Sequence, residues 1–381
     1  QVSAAAALVW EAYPWMTNDQ VRKTLLGTAT DIGAQGVDEV FGYGLLNAGK
    51  AVGGYGLLNW GNETFNVANG NYAFNNAMTG TGGFTKSGNG ILTLTNHSTY
   101  TGTTTVRQGT LNLAGSVSGN VSTLSMGTLL LTGRVGGNLD NQGRTTSMGG
   151  QVEGNWTQAD NSILEAVLGA PSMVGGRFEA NGTLSVVGLA SADYVVQKTE
   201  TVVTAGEVAG TFAQTTFASG LFMTGTTRYT ANSVELDVVQ TAPTSLAFMM
   251  ATPQAAANAQ QLERAFAVGE RLQATDIPMV GTPQGAFLAG LAQVQRVTNE
   301  TEALAAANLV AGQGRALATS ALLATQQNQD ATAFNRIGGA SLGDAGAFTS
   351  AGRTNLHLTP EGWSSTRLQS NEASAGMDWD V

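Results

Sequence analysis

The sequence predicts a mainly β chain centred on a right-handed parallel β-helix. A short α-helical stretch precedes it, and a partly helical linker and the start of a β-barrel follow. Three observations carry this. Glycine-bounded segments with alternating apolar residues recur: "GTLNLAG" from Gly109, "GTLLLTG" from Gly127, "GTLSVVG" from Gly182 and, more loosely, "GILTLTN" from Gly90. Successive starts lie 19, 18 and 55 residues apart, the last close to three times 18, as expected for one coil per period. Gly is 50 of 381 residues and only 12% of residues are charged. Gly, Asn, Thr and Ser therefore punctuate many short strands.

Each element follows from its residues. Gln1 to Ala12, "QVSAAAALVWEA", sets small and apolar side chains on every face, which predicts a helix packed closely on all sides. Pro14 stops it, because proline lacks the amide donor and biases the residue before it away from the helical region. Thr17 and Gln20 have the capping-box spacing, and Asn18 and Asp19 suit the positive helix end. Val21, Leu25 and Leu26 form the apolar face, and Gly27 is the expected stop. "FGYGLLNAGKAV" then reads as a glycine-punctuated strand or turn and a short helix.

In the β-helix, from about Trp60 to about Leu189, the inward pairs are Leu92 and Leu94, Leu111 and Leu113, Leu129 and Leu131, and Leu184 and Val186. The residue between each pair faces out and is polar in every case except Leu130. Glycines allow the corners, and coils stack at the ordinary interstrand spacing. Tyr194 to Gln240 is the expected cap. An open last coil invites pairing with other chains, and Phe212, Phe222 and Tyr229 are placed to close it. From Thr241 the chain turns alanine-rich and helix-favouring, but Leu304, Ala307, Ala311, Leu322 and Leu323 make no broad apolar stripe. At the end, Met377, Trp379 and Val381 alternate with Asp378 and Asp380, the apolar-out, polar-in signature of a membrane strand.

Composition excludes several chemistries. A net charge of −10 without a Lys/Arg cluster argues against nucleic acid. The absence of Cys excludes disulfides, thiolate metal sites and cysteine nucleophiles. It fits a bacterial surface protein that crosses the periplasm unfolded. No apolar run reaches eighteen residues, so no membrane-spanning helix is expected. "GTGGFTKS" echoes a phosphate-binding loop, but Thr85 stands where glycine is needed before Lys86, so no nucleotide is expected. Glycosylation sequons, those at Asn62, Asn96, Asn155 and Asn181 among them, are chance matches in a chain so rich in Asn and Thr. His97 reads as a solvated turn residue, and Asp140, Glu153 and Asp160 show no pairing suited to acid/base work. Lumen-facing carboxylates explain Asp378 and Asp380 better than a metal pair. No catalytic, cofactor-binding or metal-ligating residue is therefore assigned, and no cofactor is expected.

The opening "QVSAAAALV", "TNDQVRKTLLGTATDIG" and "FGYGLLNAGKAV" resemble, in order and spacing, the C-terminal end of subtilisin-like serine proteases. The resemblance covers about Gln1 to Val52. It implies that the family's Asp, His and Ser triad and its oxyanion asparagine lie upstream of Gln1. His97 and His357 both fall outside the match. A second resemblance joins Gly83, Lys86, Gly88, Gly90, Leu92, Leu94, Tyr100, Thr101, Gly102, Thr104, Gly109, Thr110 and Leu111 to the passenger-associated repeat of bacterial autotransporters. A third likens Val203 to Gly206, Val208 to Phe212 and Tyr229 to Leu236 to the autochaperone end of such passengers, and the alanine-rich stretch to the linker that threads their barrel.

These resemblances imply a division into residues 1–53, the end of a subtilisin-like peptidase domain; 54–192, a β-helix with the passenger repeat at 82–113; 193–240, an autochaperone cap; 241–350, a partly α-helical linker; and 351–381, the start of an autotransporter barrel. The implied function is the stalk and secretion region of a surface-displayed or secreted serine endopeptidase of a Gram-negative bacterium (type V secretion). Its implied partners are the outer membrane, the barrel-assembly machinery and the protease's protein substrates. The alternative is a β-helical adhesin or structural surface protein. A polysaccharide-active β-helix enzyme fits less well, because no carboxylates cluster on adjacent coils.

Overall fold

The computed structural model describes residues 1–274, 282–312, 346–358 and 366–378. The chain divides into two compact units, Gln1–Gln240 and Thr241–Val381.

The first unit opens with helices α1 (Val2–Ala12), α2 (Asn18–Gly27) and α3 (Ala48–Ala51). The capping box forms: the Thr17 hydroxyl accepts from the Gln20 amide, and the Gln20 side chain accepts from the Thr17 amide. Gly27 ends α2 for a steric reason. A Cβ there would lie 2.8 Å from that of Leu57, so glycine lets the helix end approach the first strand. The expectation of α1 packed on all sides is corrected. Only Ala5 and Val9 are buried, while Val2, Leu8 and Trp10 are exposed, because α1 has partners on one side alone among the described residues.

The rest of the unit is a parallel β-helix of three-sided coils. One face stacks through Asn71, Ile91, Thr110, Thr128, Arg144, Ile163, Thr183 and Gln214. These rungs are 20, 19, 18, 16, 19, 20 and 31 residues apart. The 55-residue gap thus holds three coils of unequal length. A second face stacks through Glu63, Phe84, Thr104, Val121, Leu139, Trp156, Phe178 and Val208. The third carries short strands such as Ser116–Val117, Arg134–Val135 and Gln151–Val152. All eight predicted inward residues are buried, and those between them are half-buried.

Parallel pairing continues past Leu189 into the strands Gln197–Gly210 and Gln214–Phe217. The end is then closed by antiparallel pairing of Ser233–Gln240 with Gln197–Gly210 and with Met223–Tyr229. Phe212 and Phe222 are buried there, and the Phe212 amide donates to the Tyr229 hydroxyl at 2.9 Å.

In the second unit, α4 (Pro253–Gln273), α5 (Pro283–Gln295) and α6 (Glu300–Val310) start at Thr252, Thr282 and Asn299, whose side chains each cap a helix amide. The faint apolar face of this stretch is a packed seam. Ala259 and Leu262 of α4 and Ala303 and Ala307 of α6 are buried, small residues allowing close helix approach. Leu304 and Ala311 are half-buried, and Leu322 and Leu323 lie outside the described residues. Gly346–Leu358 and Thr366–Asp378 pair as an antiparallel hairpin. Trp379, Asp380 and Val381 lie outside the described residues.

Candidate functional site: the helical cap and the passenger-repeat corner

Two constructions stand out along the β-helix. The first closes its N-terminal end. The strands Glu63–Asn66 and Asn71–Phe74 begin the two main faces, so each has an outer edge with no earlier coil to pair with. Unpaired edges template association with other chains. Here side chains from the helical segment cover them. The Gln20 amide nitrogen donates to the Thr64 carbonyl at 2.8 Å. The Tyr13 hydroxyl lies 2.8 Å from the Ala73 carbonyl and 3.1 Å from that of Val52, and donates to one at a time. Burial raises the Tyr13 hydroxyl to about 12.

Charge and aromatic packing fasten the same end. Lys23 bridges Asp19 at 2.7 Å and Glu63 at 2.6 Å. Hydrogen bonds to Asp19 and then Glu63 raise its ammonium, and those from Lys23 and Arg22 hold the Asp19 carboxyl below its usual value. The Trp15 ring sits 5.9 Å from Phe65, 6.0 Å from Tyr72 and 6.1 Å from Phe74, and Tyr13 sits edge-on to Phe74 at 5.4 Å. Val9, Tyr13, Met16 and Val21 belong to the same apolar core as the leucines of the coils. Helices and β-helix are therefore one folded body rather than two domains on a linker.

The second construction is the corner after the strand Phe84–Ser87. Lys86 is fully buried. Its Nζ donates to the carbonyls of Gly88 at 2.7 Å, Gln108 at 2.9 Å and Ser87 at 3.1 Å. Burial pushes the ammonium down to about 8, but three converging carbonyls require three donors, which only the charged form supplies. Gly88 and Gly109 take φ of +75° and +68°. A Cβ on Gly109 would lie 2.3 Å from the Gly88 carbonyl and 2.8 Å from Lys86 Nζ. Tyr100 is buried with its hydroxyl on Thr104. A Cβ on Gly102 would strike the Gly82–Gly83 backbone at 2.3 Å. The motif thus reads as a mould around two successive corners.

A third feature escaped the sequence reading. Asn62, Asn120, Asn138 and Asn155 each accept, through the side-chain oxygen, a backbone amide of the next coil at 2.8–2.9 Å: Gly83, Asn138, Asn155 and Arg177. Each follows a glycine, and Val-x-Gly-Asn at 117, 135 and 152 was the visible signal. His97 is exposed, with Nδ1 on Ser116. Asp140 accepts from the Gln142 side chain, Asp160 from the Asn181 side chain and Glu153 from Arg134, so these carboxylates are not brought together. Among the described residues, no group of His, Cys, Asp and Glu has the arrangement of a metal site.

Comparison with known proteins decides what this assembly is. The subtilase family matches residues 1–44, and the passenger-associated-transport-repeat matches 84–113, the coils around Lys86. The Neisserial autotransporter lipoprotein NalP of Neisseria meningitidis is 46% identical over 118 residues, 30% of this chain and 11% of that protein. The extracellular serine protease of Serratia marcescens is 30% identical over 157 residues, 32% of this chain and 15% of that protein. These matches support a subtilisin-like autotransporter passenger fragment. Its β-helix is the passenger stalk, and α1 and α2 are the subtilase segment that caps it. Serotype-specific antigen 1 of Mannheimia haemolytica is 32% identical over 214 residues, 56% of this chain and 20% of that protein. The chain spans 11–20% of the length of these curated relatives.

Proposed function

We propose that this passenger stalk serves a surface-displayed or secreted serine endopeptidase of a Gram-negative bacterium, supporting the folding and export of the protease. The supporting observation is the shared core. The subtilase segment is joined to the first coil by Gln20, Tyr13, Lys23 and Trp15, so the peptidase end and the stalk fold as one body. The exposed Val2, Leu8 and Trp10 of α1, with Val40 and Leu45 beyond α2, give the rest of a peptidase domain an apolar surface to cover. The relatives named for serine protease activity and autotransport support the same reading. On this reading the catalytic triad belongs to sequence before Gln1, and no residue of this chain is catalytic.

In the same proposal, residues 193–240 act as an autochaperone that folds first outside the cell and templates the coils before it. Residues 241–350 form the linker. Residues 351–381 begin an outer-membrane barrel inserted by the barrel-assembly machinery, with the hairpin Gly346–Leu358/Thr366–Asp378 in keeping with that role. Deleting Tyr194–Gln240 from the full-length gene tests the export role. The expected result is an inserted barrel with a protease-sensitive, poorly displayed passenger. Normal display would contradict it. Fluorophosphonate labelling tests the enzymatic half: the full-length protein takes the label and the 381-residue chain does not.

A further inference from the structure

Lys86 is a buried charge whose described partners are all carbonyl oxygens. Burying an ammonium costs free energy unless its hydration is replaced. Three carbonyls at 2.7–3.1 Å replace it in the way backbone carbonyls replace the hydration shell of a monovalent cation. Two come from the corner of its own coil, and the third, Gln108, comes from the next.

Lys86 belongs to a column of inward residues, one per coil, that begins at Phe65. Lys86, Val106, Thr123, Asn141 and Gln158 are register partners on successive coils. At Val106 and Thr123 the strands Thr104–Leu113 and Val121–Leu131 run unbroken through the corner. At Lys86 and Asn141 the strand breaks there, and the side chain donates to a carbonyl of the following coil: Gln108 from Lys86 and, at 3.1 Å, Ile163 from Asn141. Two of the broken corners in this column thus carry a donor that reaches the next coil, whereas at the others Phe65 is apolar and the Gln158 side-chain oxygen accepts from Asn141 and Ser162.

We propose that Lys86 is a tethered structural cation that locks the register of the coil containing Leu92 and Leu94 against the coil containing Leu111 and Leu113, and that removing its side chain leaves a carbonyl cradle able to take ammonium or potassium from solution. A slip of one residue between these coils would carry the Gln108 carbonyl away from Nζ and turn the inward leucines outward. The inference rests on the passenger-stalk fold and is independent of the peptidase reading.

Urea denaturation of the whole 381-residue chain tests it, with Lys86→Ala, Lys86→Met and, as a control cavity elsewhere in the same coil, Leu92→Ala. Each is measured in choline, potassium and ammonium chloride at matched ionic strength. Lys86→Ala is expected to unfold at lower urea in choline chloride and to regain more than half of that loss in ammonium chloride. Lys86→Met, whose thioether fills the cradle, is expected to lose stability without regaining it. If Lys86→Ala folds only with ammonium or potassium, the proposal holds. It is overturned if Lys86→Ala answers ammonium no more than Leu92→Ala does, if Lys86→Met matches the parent chain, or if Lys86→Ala folds in none of the three salts.

Discussion

Gln20 and Thr64 are joined across the boundary between helix and stalk. The Gln20 amide oxygen accepts from the Thr17 amide at 3.1 Å, and its nitrogen donates to the Thr64 carbonyl at 2.8 Å. One buried side chain thus closes a helix start and covers a strand edge. The same two bonds explain why the helical segment cannot be removed without exposing the first coil.

Gln20→Glu keeps the acceptor for Thr17 and removes the donor to Thr64. It should cost about 1–3 kcal/mol, the penalty of a buried acceptor left without a partner. Urea denaturation read by circular dichroism checks it, and an unchanged midpoint would remove Gln20 from the junction.

Leu111→Asp sets an unpaired carboxylate against Leu92 and Leu129, its register partners on either side. The expected loss is several kcal/mol. Asn112→Asp, on the outward position beside it, should stay within about 0.5 kcal/mol of the parent. Equal losses from the two would contradict the inward and outward assignment.

Thr145 stands in register between Leu129 and Leu164, with a buried hydroxyl that has no protein partner. Thr145→Val removes a desolvated group at nearly constant volume, so stability should rise by about 1 kcal/mol. A thermal melt showing a loss instead would mean that the hydroxyl is satisfied in solution.

Alkali should destabilise the capped end. Burial raises the hydroxyls of Tyr13, Tyr55 and Tyr100. An unfolded tyrosine releases its proton near 10.0, whereas folded Tyr13 holds it to about 12. The unfolded state therefore binds fewer protons in that window, and stability falls as pH climbs through it. Urea midpoints measured from pH 9 upward are expected to decline past 10, less steeply in Tyr13→Phe. A flat profile would mean that these hydroxyls do not stay buried and protonated.

The parts of the fold that were legible in the sequence are those where apolar spacing alone sets the structure. Leu92, Leu111, Leu129 and Leu184 gave the period and the inward face because a leucine every coil is a strong signal. The coil at Arg144–Ser147 was hidden, since Thr145 and Ser147 hold its inward positions and it is only 16 residues from the rung before. Polar contacts between coils were less visible. The asparagine ladder depends on which amide each side chain reaches, and the sequence marks Lys86 only as a position of the passenger-associated repeat, without the three carbonyls that its Nζ meets. The composition of α1 pointed to packing on all sides, but composition cannot say how many sides have a neighbour. The seam between α4 and α6 went unread because alanines carry it.

Hydrogen exchange of the 381-residue chain tests most directly that helical cap, coils and closing strands form one stalk. The amides of α2, of Ile91–Leu94 and Thr104–Leu113, and of Ser233–Gln240 are predicted to be protected together, with the segment Tyr194–Gln240 among the slowest to exchange and the last to be cut in limited proteolysis. Early exchange and cleavage across Tyr194–Gln240, or α1 and α2 opening while the first coils stay closed, would contradict it.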